Sequence, residues 1–116
     1  VIPLEKVAMH FHDTRGTALA NVLCSLQMGV HKFDASVGGL GGCPYARGAS
    51  GNLVTEDLAY MLQGMGFETG CEISKLVGVT ADLATKIPRQ LPSKLAQAGL
   101  PLENTLDEGG VLKNSH

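Results

Sequence analysis

The chain contains no tryptophan, and its few phenylalanines and tyrosines bring the aromatic content to only 4%. That leaves too few rings to build a stacking platform for bases or sugars. Cysteine is scarce as well: Cys24, Cys43 and Cys71 are odd in number, widely spaced and form no C-x-x-C pair. They cannot make a disulfide framework, and they suit a reducing compartment such as a bacterial cytoplasm or a mitochondrial matrix. Neither sign of charge predominates. A formal charge of −2 gives no electrostatic footprint for nucleic acid or an anionic membrane. No apolar run approaches the roughly 20 residues that span a bilayer. The first six residues lack the basic start and apolar core of a signal peptide. Neither G-x-x-x-x-G-K-[ST] nor G-x-G-x-x-G occurs, so the glycines are not arranged for a nucleotide phosphate.

What is present is an ordinary globular balance, 44% hydrophobic against 17% charged, in 116 residues. That is enough for one modest core and argues against disorder. The chain opens at Val1 and reaches a strand pattern almost at once, so it reads as a piece of something longer.

The periodicities predict an alternation of strands and helices. Residues 7–12 read as a strand, and 15–28 as a helix with Ala18, Leu19, Val22, Leu23 and Leu26 on one face and Gly29 as its stop. Residues 30–37 read as a second strand. A glycine-dense loop, Gly38 to Asn52, follows. Thr55 is a natural N-cap for a second helix, with Glu56 and Asp57 in its first turn, where the helix dipole favours negative charge. Leu58, Met61, Leu62 and Met65 form its apolar face, and Gly64 or Gly66 ends it. A connection or short strand spans 67–71. A third helix runs over 73–87, stopped by Pro88, and a last one over 91–98. The order argues an α/β fold with parallel strands, and the polar strand-to-helix loops suit a (β/α) barrel. At about 250 residues for a complete barrel, this chain supplies only part of one: residues 1–98 belong to the barrel and 99–116 form a tail.

Three places carry chemistry. His10 and His12 lie two apart at the end of a strand, so they project to one face. Two imidazoles held that way are half of a metal site, or else a hydrogen-bonded structural pair. Asp13 beside them, and the strand-to-helix turn that follows, favour the functional reading. Cys43 sits within the glycine-rich loop, where the glycines suit an active-site lid, and its thiol could act as acid or base. Cys24 and Cys71 read as small buried hydrophobes. Asn52, just before the second helix, is either a turn residue or a neutral oxygen ligand. Imidazoles with amide and carboxylate oxygens favour Mg²⁺ or Mn²⁺, whereas Cys43 as a ligand would favour zinc. Arg47 could pair with an anionic substrate group or be solvated, and His31 and His116 read as surface residues.

His10-Phe11-His12-Asp13-Thr14-x-Gly16, Ala18-Leu19-Ala20-Asn21, Gly38-Gly39-Leu40-Gly41-Gly42-Cys43-Pro44-Tyr45-Ala46 and Gly48-Ala49-Ser50-Gly51-Asn52-Leu53-x-Thr55-Glu56-Asp57 together resemble the 3-hydroxy-3-methylglutaryl-CoA (HMG-CoA) lyase family. The resemblance runs from about Val7 to Gly70. It implies a TIM barrel of the DRE-TIM metallolyases, of which this chain would be the C-terminal part, about strands 6–8. It implies cleavage of HMG-CoA to acetyl-CoA and acetoacetate, the chemistry of leucine degradation and ketone-body formation, with Mg²⁺ or Mn²⁺ as cofactor. By the same resemblance His10, His12 and Asn52 are metal ligands, Cys43 is a catalytic cysteine, and Glu56 is an acidic residue at the catalytic site. The whole protein is expected to be a homo-oligomer, a dimer, that binds neither nucleic acid nor membrane. The family's remaining metal ligand, an aspartate near the first barrel strand, and its neighbouring arginine find no counterpart here, so the 116 residues alone are expected to be inactive. Two rivals stand beside this. The Claisen-type synthases of the same superfamily share the H-x-H but not the Cys-Pro-Tyr-Ala segment. A non-catalytic half-barrel fragment is the other.

Overall fold

The computed structural model describes residues 1–41 and 51–100. Two short strands, β1 (Met9–His10) and β2 (Phe33–Asp34), pair in parallel, with Met9 opposite Phe33 and His10 opposite Asp34. Helix α1 (Ala18–Gln27) connects them, which makes a β-α-β unit. Among the described residues three further α-helices follow: α2 (Thr55–Gly64), α3 (Ile73–Ala84) and α4 (Lys94–Ala98). The expected parallel α/β arrangement is present, with shorter strands than the 7–12 and 30–37 patterns predict. A ladder extends only as far as a neighbouring backbone accompanies it. Beyond Asp34 the two strands no longer meet each other, and residues 51–55 enter between them. The Leu53 N–H donates to Phe11 O at 3.1 Å, while Leu53 O accepts from Ser36 N–H at 2.8 Å. The result is two isolated bridges, His12 with Asn52 and Ser36 with Val54.

The core forms where this insertion meets the helices. Ala18, Val22, Leu53 and Leu58 are buried together, and Phe11, Leu19, Leu26, Phe33 and Met61 pack against them. Along α1 the buried positions are Ala18, Val22 and Ser25, at helical spacing. Leu23 and Cys24 fall off that stripe and are exposed, and Cys71 is exposed too. Both cysteines therefore depart from the buried role the sequence suggested. A sulfur on an apolar-looking helix counts as buried only if its angle around the axis faces the sheet.

Helix ends account for most of the other differences. α1 and α2 close the same way. The Gly29 and Gly66 backbones take φ of 95° and 92°, and Val30 and Phe67 donate back to Ser25 O and Leu62 O at 3.0 and 2.9 Å. That left-handed turn is cheap for glycine alone. At the start of α2 the N-cap is Val54, not Thr55, which is already helical. α3 stops at Ala84 rather than 87, where the bonding tightens: Thr85 and Lys86 N–H donate three residues back, to Asp82 O and Leu83 O at 3.2 and 2.9 Å. Residues 67–71 form no strand. Thr69 Oγ1 accepts from Cys71 N–H at 3.1 Å and from Gln63 Nε2 at 2.7 Å, which curls the segment into a turn. α4 begins only at Lys94, after Pro92, where the Ser93 hydroxyl accepts from Ala96 N–H at 3.1 Å.

Candidate metal centre and its glycine hinge

β1 delivers His10, and the bridge to Asn52 holds His12. The two imidazole centroids lie 5.0 Å apart with an interplanar angle of 70°, so the strand-end pairing predicted from H-x-H is realised. Asp34, opposite His10 in the register, bonds to its Nδ1. A carboxylate only accepts, so Nδ1 is the donor in this contact, and in the neutral imidazole Nε2 is the nitrogen left to ligate. A carboxylate behind a ligating imidazole fixes ring and tautomer in this way. Sequence reading passed over Asp34. Its only signal was the parallel pairing, which a linear pattern does not contain.

Asn52 is the third candidate. Its Nδ2 donates to Leu40 O at 3.0 Å, which commits the amide nitrogen and leaves Oδ1 as the available donor atom. The backbone bridge puts Asn52 directly across from His12. One imidazole oriented by Asp34, a second imidazole and an amide oxygen suit a divalent ion in part. A hard ion also wants carboxylate oxygens. Among the described residues no group of three or more His, Cys, Asp and Glu side chains could hold a metal by itself.

Cys43 and Arg47 lie outside the described residues, as does His116, but both feet of their loop are defined. After β2 the chain turns through Val37–Gly39, where Gly38 and Gly39 take φ of 67° and 73°. A Cβ on Gly39 would stand 2.7 Å from Pro92 Cγ and 2.9 Å from Val54 Cγ2. One on Gly51 would fall on the Gly41 carbonyl oxygen. The two feet are pressed together, and glycine is what permits it.

Glu56, the acidic candidate, has 0% exposure. It does not face open solvent beside the histidines. Oε1 accepts from the Gly38 N–H at 3.0 Å, and Oε2 accepts from the Thr80 hydroxyl of α3. The adjacent Asp57 does related work in the other direction. Its two oxygens accept from Lys94 and Leu95 N–H, each at 2.9 Å, holding the start of α4. Half-burial pushes the Asp57 carboxyl above its ordinary value, and those two amide bonds oppose the shift. Asp13, also near the histidines, accepts from Ala18 N–H at 3.0 Å through Oδ1 and so opens α1.

A cavity of about 440 Å³ lies elsewhere, between α1, β2, α2 and the 67–71 turn, with Leu26, Phe33, Leu58, Leu62 and Phe67 in its wall. None of His10, His12, Asn52 and Glu56 lines it. The candidate ligands therefore lie apart from that cavity, at the strand ends.

Residues 1–83 match the HMGL-like family model, and the chain belongs to the HMGL-like family. Lyases are among its relatives. It is 56% identical over 97 residues to the human mitochondrial hydroxymethylglutaryl-CoA lyase, covering 84% of this chain and 30% of that protein. It is 52% identical over 101 residues to the chicken mitochondrial enzyme, covering 87% and 34%. It is 52% identical over 95 residues to the Bacillus subtilis lyase YngG, covering 82% and 32%. Among solved structures, the Bacillus subtilis HMG-CoA lyase superposes with a TM-score of 0.81 at 50% identity, over 84% of this chain and 33% of that one. An Acinetobacter baumannii HMG-CoA lyase, in complex with coenzyme A and 3-methylmalate, gives 0.80 at 43% identity, over 88% and 33%. This chain thus spans about a third of the length of the relatives it matches. Those lyases are TIM barrels, and this chain is a part of that architecture with a small parallel sheet.

Proposed function

We propose that this chain carries the imidazole and amide side of a divalent-metal site in an HMG-CoA lyase, with Mg²⁺ or Mn²⁺ as the ion. We take its strands as belonging to the C-terminal part of the barrel, about strands 6–8. The observation that carries this reading is the juxtaposition of His10, His12 and Asn52 within the stretch that matches the HMGL-like family model. His10 Nε2, a His12 ring nitrogen and Asn52 Oδ1 would hold the ion, which supplies a Lewis acid for the substrate oxygens when bound. The reaction itself balances simply. A base takes the proton of the tertiary hydroxyl, the alkoxide electrons form a ketone, and the carbon–carbon bond breaks toward the thioester fragment. That fragment leaves as the acetyl-CoA enolate and needs a proton at carbon. Cys43, outside the described residues, is assigned as its donor on the loop's resemblance to the lyases. Glu56 serves the site by holding the loop's first foot.

The test is turnover of HMG-CoA by the complete protein that carries these residues. Acetyl-CoA and acetoacetate should appear in equal amounts, stop on chelation and resume with Mn²⁺ or Mg²⁺. Asn52→Ala should weaken Mn²⁺ binding and lower kcat. Condensation of an acyl-CoA with a 2-oxo acid, in place of cleavage, would select the synthase reading instead. The 116 residues expressed alone should show no comparable turnover, since by the resemblance the family's aspartate ligand has no counterpart among them. The mitochondrial names of the human and chicken enzymes, with a bacterial counterpart, agree with a reducing compartment.

A further inference from the structure

We infer that Thr80 on α3 is a positioning residue for the metal centre, setting the orientation of the Asn52 side chain through Glu56 and the Gly38–Leu40 backbone. This rests on the reading of Asn52 as a metal ligand.

Thr80 is 1% exposed and lies far along the chain from His10 and His12. A threonine in mid-helix usually points outward or bonds back to its own turn. This one donates its hydroxyl to a carboxylate on another helix that is itself fully buried. The second oxygen of that carboxylate accepts from the Gly38 amide. Two residues on, Leu40 O accepts from Asn52 Nδ2 at 3.0 Å. The chain of contacts is therefore Thr80 to Glu56, Glu56 to Gly38, then through Gly39 and Leu40 to Asn52. Every polar link is a hydrogen bond, and no buried side-chain nitrogen or oxygen among the described residues lacks a partner.

Packing keeps the relay from slackening. A Cβ on Gly38 would lie 3.3 Å from Thr80 Cγ2 and 3.2 Å from Leu91 Cδ1. Gly39 is boxed by Pro92 and Val54. The hinge backbone thus rests on α3 and on the segment before α4, neither of which contributes a candidate ligand. Without the Thr80 hydroxyl, Glu56 Oε2 is left buried and unpaired. The carboxylate then swings or draws in water, and its bond to Gly38 loosens. Leu40 O moves with the hinge, and Asn52 loses the contact that aims its oxygen.

The experiment uses the complete protein carrying this chain, with Thr80→Val, which keeps shape and removes the hydroxyl, and Thr80→Ser, which keeps the hydroxyl. Mn²⁺ affinity by chelator competition is read first, then kcat and KM for HMG-CoA. Thr80→Val should weaken Mn²⁺ binding about tenfold, the scale seen when a ligand's supporting partner is removed. It should also lower kcat more than it raises KM. Thr80→Ser should restore both. A Thr80→Val protein that melts lower yet keeps wild-type Mn²⁺ affinity and kcat would overturn the relay, leaving Thr80 as packing only. If Thr80→Val does not fold, amide exchange in the wild type decides. Gly38 N–H should be protected as strongly as the core helices, and exchange at the rate of an exposed loop overturns the proposal. Failure of the lyase reading looks different: the wild type would bind Mn²⁺ with Thr80-dependent affinity and leave HMG-CoA intact.

Discussion

The adjacent carboxylates Glu56 and Asp57 show how one residue step separates two duties. They sit in the first turn of α2, where the helix dipole favours them, yet each is spent on a specific bond. Glu56 turns inward to the loop and α3, and Asp57 turns toward α4. Glu56→Gln should be mild. Its oxygen keeps the Gly38 N–H, and its NH₂ can donate to a Thr80 hydroxyl that is free to accept. Glu56→Leu orphans both donors and should cost about 1–3 kcal/mol for each, read as a lower urea midpoint. Asp57 gives a pH signature. Its folded pKa is raised above the ordinary 3.8, mainly by burial. Its titration therefore adds stability that is fully present below the unfolded value and fades as pH rises through the raised one. The penalty of Asp57→Asn should accordingly be larger near pH ~4 than near pH ~7. Equal penalties at the two values would show that burial does not govern this carboxyl.

At the scale of elements, the glycine turns differ in what surrounds them. Gly66 closes α2 with φ of 92° and nothing within 4 Å of where a Cβ would stand, whereas Gly39 has a similar hand but is boxed by Pro92 and Val54. Gly66→Ala should cost about 1 kcal/mol of backbone strain alone. Gly39→Ala should add roughly 1–3 kcal/mol of overpacking and displace the loop's first foot, weakening Mn²⁺ binding as well as stability. Paired urea titrations and chelator competition separate the two. Helices were legible in the sequence because their 3.6-residue pattern is local. Their ends were less so, since Asp57 holds the first amides of α4 and Asp13 opens α1 through contacts that spacing does not reveal. The strands were over-read for the same reason: alternation marks a half-buried face, but ladder length is set by the neighbour.

For the molecule as a whole, the described sheet has only two strands, and each pairs on one side with the other. Open strand edges invite another backbone. Leu23, Met65, Phe67 and Val79 are exposed as well. The 116 residues expressed alone should therefore associate, and sedimentation should report masses above the 12.1 kDa of one chain. A sharp monomeric boundary over a wide concentration range would contradict this.

The sequence by itself determined the helices, the parallel α/β class, the family and the identity of the candidate ligands, because motif spacing and helical period are properties of the chain. Only the tertiary structure decided how Asn52 reaches His12, why Asp34 stands behind His10, and that Glu56 is shared between a hinge and a distant helix. Those relations join residues 18 or more positions apart, so they exist only once packing and buried hydrogen bonds have fixed the backbone.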